Sequence, residues 1–168
     1  GVIYYYNNIT NLVQWTETLT STTDTWQPSN VGRSVLQGVT TTYAGKVYGG
    51  LDVTGSIDYQ DSLNPQTGQA LPYHPYVFGN LSVEKNVNRW KLGAQMQSQG
   101  NQQTNPGDGS NKTLGGYTLF NLYGSLDLVK DISAYFRVNN VFDKQYVSTF
   151  NSAFGPYRTP GSAVYVGL

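Results

Sequence analysis

The side chains that carry out most enzyme chemistry are sparse in this chain and badly placed for it. His74 is the only histidine and cysteine is absent, so neither a His/Cys metal centre nor a thiolate nucleophile can be assembled. Asp52 and Asp58 lie six residues apart on one face of an alternating segment. At strand rise that separates them by about 20 Å, too far for a shared acid–base pair. The run Asn105-Pro106-Gly107-Asp108-Gly109-Ser110-Asn111 has the composition of a calcium loop but lacks the spaced carboxylates and closing Glu, and reads as a turn. No Ser/His/Asp arrangement and no phosphate-cradling glycine loop stands out. The expectation is a protein that is not an enzyme, with no catalytic residue, no metal site and no cofactor.

What remains is recognition. Arg33 and Arg158 flank polar segments, and a guanidinium suits carboxylates and other anions. Trp26, Tyr73, His74 and Tyr157 sit in segments rich in Asn, Gln, Ser, Thr, Gly and Pro, where aromatic rings can stack on a flat ligand. These six are the candidate ligand-binding residues. Each also has a plainer use: loop packing for the aromatics, and loop contacts for the arginines.

The elements that would position them are strands. Tyr, Thr and other residues favouring a pleated, half-buried surface are abundant, with 14 Tyr against only 12% charged residues, which points to an all-β chain. From Lys46 to Gln60, Val47, Gly49, Leu51, Val53, Gly55, Ile57 and Tyr59 alternate with charged and hydroxyl-bearing residues. The pattern recurs at 76–84, 90–97, 120–127, 132–139 and 163–168, and less regularly at 1–16 and 33–43, for eight strands in all. Several exceed the 5–6 residues or so usual in globular proteins and reach the roughly 9–11 of a tilted membrane-spanning strand. No stretch approaches the roughly 18 apolar residues of a transmembrane helix, which leaves a barrel open.

The connections sort by length. Short ones are expected at 43–46, 85–89 and 128–131, and long polar ones at 17–32, 61–75, 99–116 and 144–157. Short turns at one end and long loops at the other are the pattern of an outer-membrane barrel. Lys46, Asp52, Asp58, Glu84, Lys91, Asp127 and Arg137 all fall on the polar phase of their strands. In a barrel they would face a watery lumen while the apolar phase meets lipid, with Tyr59, Trp90 and Phe120 at the interfaces. Zero formal net charge offers no basis for binding nucleic acid. A soluble carbohydrate-binding sandwich is the alternative outside the membrane. A self-contained eight-stranded barrel, acting as an adhesin or structural protein, is the alternative within it. Pairing of the first strand with the last would mark the self-contained form.

Several segments resemble one family. Arg137-Val138-Asn139-Asn140-Val141-Phe142-Asp143-Lys144-Gln145-Tyr146 resembles the "NLFDKxY" segment of TonB-dependent outer-membrane receptors, and Gly115 to Leu122 resembles their "GGYTLVDL" strand. Tyr4 to Val13 is similar to "YYN.I.NLI", Asn30 to Arg33 with Gly38-Val39 to "N.G.A...GVE", and Leu71 to Pro75 to a "P.RP" stretch. The resemblance implies an antiparallel transmembrane β-barrel in the outer membrane of a Gram-negative bacterium, of which residues 1–168 form the eight C-terminal strands out of 22. It implies uptake of a small, scarce ligand such as a ferric siderophore or cobalamin, with the plug domain and the TonB-contacting box in an N-terminal region absent here. Lipid and lipopolysaccharide would be the surrounding partners. Asn139, Asn140, Phe142, Asp143 and Tyr146 would serve as a structural motif, since Asn and Asp at a strand end bond nearby backbone and turn the chain. The sequence departs from the family at Ser162, Thr41 and His74, where Arg, Glu and Arg are usual, and it stops at Leu168 before the usual terminal aromatic. That last departure is expected to reflect truncation.

Overall fold

The computed structural model describes residues 1–20, 23–30, 32–104, 112–151 and 155–168; the turn expected at 105–111 lies outside them. Along the chain, β1 (Val2–Thr10) leads into a hairpin of β2 (Val13–Thr20) and β3 (Thr23–Asn30). The long strands β4 (Arg33–Val47) and β5 (Leu51–Asn64) follow, and the short β6 (Gln69–Ala70) folds back on β5. Next come β7 (Val77–Val87), β8 (Trp90–Gln99), the two-residue β9 (Gln102–Gln103) and β10 (Thr113–Leu114), β11 (Tyr117–Val129) and β12 (Ile132–Asn139). A second loop hairpin, β13 (Val147–Asn151) with β14 (Gly155–Arg158), precedes β15 (Ala163–Gly167). Eight strands form one continuous antiparallel wall in the order β1-β4-β5-β7-β8-β11-β12-β15. Among the described residues β1 pairs with β4 alone and β15 with β12 alone. The sheet therefore does not close on itself.

Two corrections to the sequence reading have local causes. The first short connection is Tyr48-Gly49-Gly50, not 43–46, because both glycines take positive φ (79° and 71°), where a side chain is costly. The alternation read straight through this turn because Val47 pairs directly with Leu51, which keeps odd residues on one face on both sides. Lys46 and Asp52 are thus cross-strand partners. The strand expected at 1–16 breaks at Asn11, whose φ is 59° and whose N–H donates to the Gly32 carbonyl at 2.7 Å. Beyond it, much of the loop expected at 17–32 is hairpin.

Direct pairing places all seven strand charges on one face. Lys46 opposes Asp52, Asp52 opposes Glu84, and Asp58, Lys91, Asp127 and Arg137 share that parity. The opposite face carries Val39, Ile57, Tyr59, Leu81, Leu92, Trp90, Phe120, Leu122, Val164 and Val166, all exposed. An apolar surface this continuous has no place against water.

Three glycines on the polar face serve tyrosines. Tyr5 opposes Gly38, Tyr123 opposes Gly93 and Tyr135 opposes Gly167. In each pair a Cβ on the glycine would collide with the tyrosine ring, so the ring lies over bare backbone and covers it.

Candidate functional site

The polar face of the wall is tied together across strands. Tyr123 Oη donates to Glu84 at 2.7 Å and pairs with Ser82 Oγ at 2.9 Å, while Lys91 Nζ lies 3.0 Å from Glu84. Tyr5 donates to Asp58 at 3.1 Å, and Thr40 donates to the other oxygen of that carboxylate. Asn80 donates to Ser56 at 2.7 Å. Arg137 is held by amides: its Nε donates to Asn139 at 2.7 Å and an Nη to Gln95 at 3.3 Å, with the Tyr123 ring 5.9 Å away. Beside it is a hollow of about 310 Å³ lined by Gln97, Asn121, Asn139, Tyr146 and Tyr165. Such a surface offers amide and hydroxyl hydrogen bonds and one guanidinium.

At the long-loop end of the wall, three connections clasp one another. Leu71 is buried and its N–H donates to the Ser62 carbonyl at 2.9 Å. Tyr73 takes a φ of 58°; its N–H reaches the Gln103 carbonyl at 2.8 Å and its hydroxyl the Phe150 carbonyl at 2.9 Å. Gln102 is buried and donates to the Ser148 carbonyl at 3.3 Å. Lys112 Nζ sits 4.0 Å above the Phe150 ring, a contact of cation–π type. Leu114 is the other buried apolar side chain here. The small apolar core among the described residues is therefore in this loop layer, because the wall turns its apolar side outward.

Asn140 anchors the layer to the wall. It is 5% exposed with a φ of 51°. Its N–H donates to Asn121 Oδ1 at 2.9 Å, its Nδ2 donates to the Lys144 carbonyl at 3.0 Å, and its Oδ1 accepts the Lys144 N–H at 2.9 Å. Asp143 accepts the Ser162 N–H at 2.8 Å, so both ends of the 140–162 connection are held together. Tyr146 stacks on Tyr117 with centroids 3.9 Å apart, and Phe142 meets Phe120 edge-on at 5.3 Å.

The six recognition candidates are not gathered in one place. Tyr157 and Arg158 are exposed on β14, in the hairpin that Tyr73 grips through Phe150. His74 is half-buried and its Nδ1 donates to the Pro72 carbonyl at 2.8 Å. Arg33 stands at the other side of the wall, with its Nε donating to Asn8 at 2.8 Å. Trp26 falls in β3, opposite Glu17 in register. Among the described residues no group of three or more His, Cys, Asp or Glu could hold a metal. Sequence reading missed Gln97 and Asn121 as lining residues and Gln95 as the amide that holds Arg137. The signal for the two glutamines was a run of amides on the polar phase at 95–99, legible only once that phase is known to face inward.

Comparison with known proteins identifies this architecture. The family described as TonB dependent receptor-like, beta-barrel, matches residues 1–141. The chain belongs to the TonB-dependent receptor β-barrel family. A curated relative, the vitamin B12 transporter BtuB of Photobacterium profundum, is 28% identical over 151 residues, covering 88% of this chain and 24% of that protein. Among solved structures, the ferric enterobactin receptor PfeA of Pseudomonas aeruginosa superposes with a TM-score of 0.75 at 22% identity, over 98% of this chain and 27% of that one. The ferric-catecholate import receptor Fiu of E. coli K12 gives 0.72 at 19% identity, over 98% and 24%. The chain spans about a quarter of the length of these relatives. Family members are outer-membrane proteins of Gram-negative bacteria, and receptors rather than enzymes. In such a barrel the polar face lines the lumen, the apolar face meets lipid and the long loops lie outside the cell.

Proposed function

We propose that this chain is the C-terminal part of the wall of an outer-membrane receptor that takes up a ferric siderophore, driven through TonB by contacts in a region outside residues 1–168. The observation that carries the reading is the clasped loop layer standing over a lumen wall of amides and hydroxyls with Arg137 among them. Tyr157 and Arg158, exposed on a braced hairpin, are the contacts for an anionic, aromatic-rich chelate, since guanidinium pairs with anions and aromatic rings stack on flat ligands. Tyr73 and His74 act by holding that hairpin and their own loop in place. Arg33, at the far side of the wall, and Trp26, in the β2/β3 hairpin, are further candidate contacts. The receptors for ferric enterobactin and ferric catecholates among the structural relatives support a siderophore; the vitamin B12 transporter supports the broader class of scarce, bulky ligands.

Ligand binding to the whole receptor tests this. Ferric catecholate and cobalamin are titrated in turn, with intrinsic fluorescence as the readout. A double change of Tyr157→Ala and Arg158→Ala is expected to weaken ferric-siderophore binding about tenfold or more, equivalent to losing about 1.4 kcal/mol. Binding of cobalamin and of no siderophore would overturn the siderophore assignment while leaving the receptor class intact.

A further inference from the structure

The lipid-facing side of the wall is not uniformly filled. Two rows of directly paired residues cross β4, β5, β7 and β8: Thr41, Ile57, Gly79 and Ser98 in one, Tyr43, Gly55, Leu81 and Met96 in the other. Where each row reaches a glycine the surface drops, leaving a groove of about 440 Å³. Its floor is Gly55 and Gly79; its walls are Tyr43, Ile57, Leu81 and Met96. Gly79 differs from the glycines of the polar face. No ring lies over it and its φ is not positive, and a Cβ there would meet only Ser56 O at 3.5 Å and Ile57 Cγ1 at 3.7 Å, ordinary contacts. The backbone would therefore accept a side chain at Gly79, and the vacant space is what glycine provides.

The medium around this face is the hydrocarbon of the outer membrane, so an apolar groove in it holds neither water nor vacuum. One end of the groove is polar. Ser98 Oγ and Thr118 Oγ1 lie 3.0 Å apart on the lipid-facing phase. One hydroxyl donates to the other, which leaves a second O–H to be satisfied where few acceptors exist. Ser98 is next to the last residue of β8, and Val77, which also lines the groove, begins β7. The polar end therefore points toward the long loops, and so toward the outer leaflet.

The geometry points to an acyl chain of outer-leaflet lipopolysaccharide seated in this groove, its methylenes over Gly55 and Gly79 and a chain hydroxyl or ester oxygen accepting from the Ser98/Thr118 pair. This inference does not depend on which ligand the receptor imports. The test uses the whole receptor extracted from outer membranes into mild detergent, with co-purifying lipopolysaccharide and phosphatidylethanolamine each quantified by mass spectrometry. The unchanged protein is expected to keep lipopolysaccharide through extended washing. Gly79→Leu fills the groove and is expected to cut retained lipopolysaccharide about fivefold, the loss of one modest apolar contact set. Ser98→Ala with Thr118→Val should lower it by a smaller factor, leaving phosphatidylethanolamine unaffected. Folding is checked by heat-dependent migration of the barrel on gels. If Gly79→Leu does not fold, Met96→Trp blocks the groove from its wall and decides the question. Retention at the unchanged level in a folded, filled variant overturns the proposal, as does specific retention of phosphatidylethanolamine in place of lipopolysaccharide.

Discussion

The two faces of the wall are built from the same strands with the same period, yet they are stabilised in different ways. On the lumen face Glu84, Lys91, Ser82 and Tyr123 form one linked cluster, and Arg137, Gln95, Asn139 and Asn121 another. Three tyrosine–glycine pairs cover bare backbone between such groups. On the lipid face Leu81, Leu92, Leu122 and Val166 make little use of polar partners, and the hydrocarbon itself completes their packing. The difference teaches that burial inside the protein is a poor guide to importance here. Side chains that are exposed in the isolated wall are the ones whose environment is least tolerant of charge.

That asymmetry can be broken most directly by placing the same charge on each face. Leu81→Arg, on the lipid face, is expected to destabilise the receptor by about 2–4 kcal/mol, whereas Gln97→Arg, on the lumen face, should cost about 1 kcal/mol or less. Reversible unfolding in urea from liposomes measures both, and equal costs would show that the face assignment is wrong. Next in size is the glycine under a ring. Gly93→Val should cost about 2 kcal/mol through collision with Tyr123, and adding Tyr123→Ala should recover much of it in a double-mutant cycle. A third change compares the wall with the loop layer. Asn140→Ala removes two side-chain bonds to Lys144 from a buried site and is expected to cost about 1.5 kcal/mol. Amide exchange should accelerate across 140–162 while β8 and β11 stay protected. A smaller change within the same cluster is Tyr123→Phe, expected to cost about 1 kcal/mol, which removes the bonds to Glu84 and Ser82 but leaves the ring over Gly93. A cost as large as that of Gly93→Val would mean that the hydroxyl, and not the ring's seat on glycine, dominates this position.

The wall was legible in the sequence because a strand between water and lipid must alternate, and alternation survives in single residues such as Leu81, Ser82 and Val83. It even survived the misplaced first turn, since Val47 and Leu51 pair directly and preserve parity. The loop layer was less legible. Its hairpins β2/β3 and β13/β14 are rich in Thr, Gln, Ser and Asn; β2 alternates Val13, Trp15 and Leu19 with polar residues, but β3, β13 and β14 carry no sustained apolar period, because backbone pairing between loop strands does not require one. The same holds for the candidate site. Tyr73, a candidate stacking ring, also closes a hydrogen bond from its hydroxyl to the Phe150 carbonyl, 77 residues away, a partner no local pattern announces.

The sequence by itself determined the alternating strands of the wall, the sorting of short and long connections, the shared face of the seven charges and, through segments such as Tyr4 to Val13 and Gly115 to Leu122, the family. These are properties of short spacing along the chain, set by the two-residue period of a strand. Only the tertiary structure decided which glycine lies under which tyrosine, how three loops clasp around Leu71 and Leu114, and where Gly55 and Gly79 open a groove toward lipid. Those depend on register between strands, and register is decided by the joint fit of both faces and the turns, information that no single segment holds.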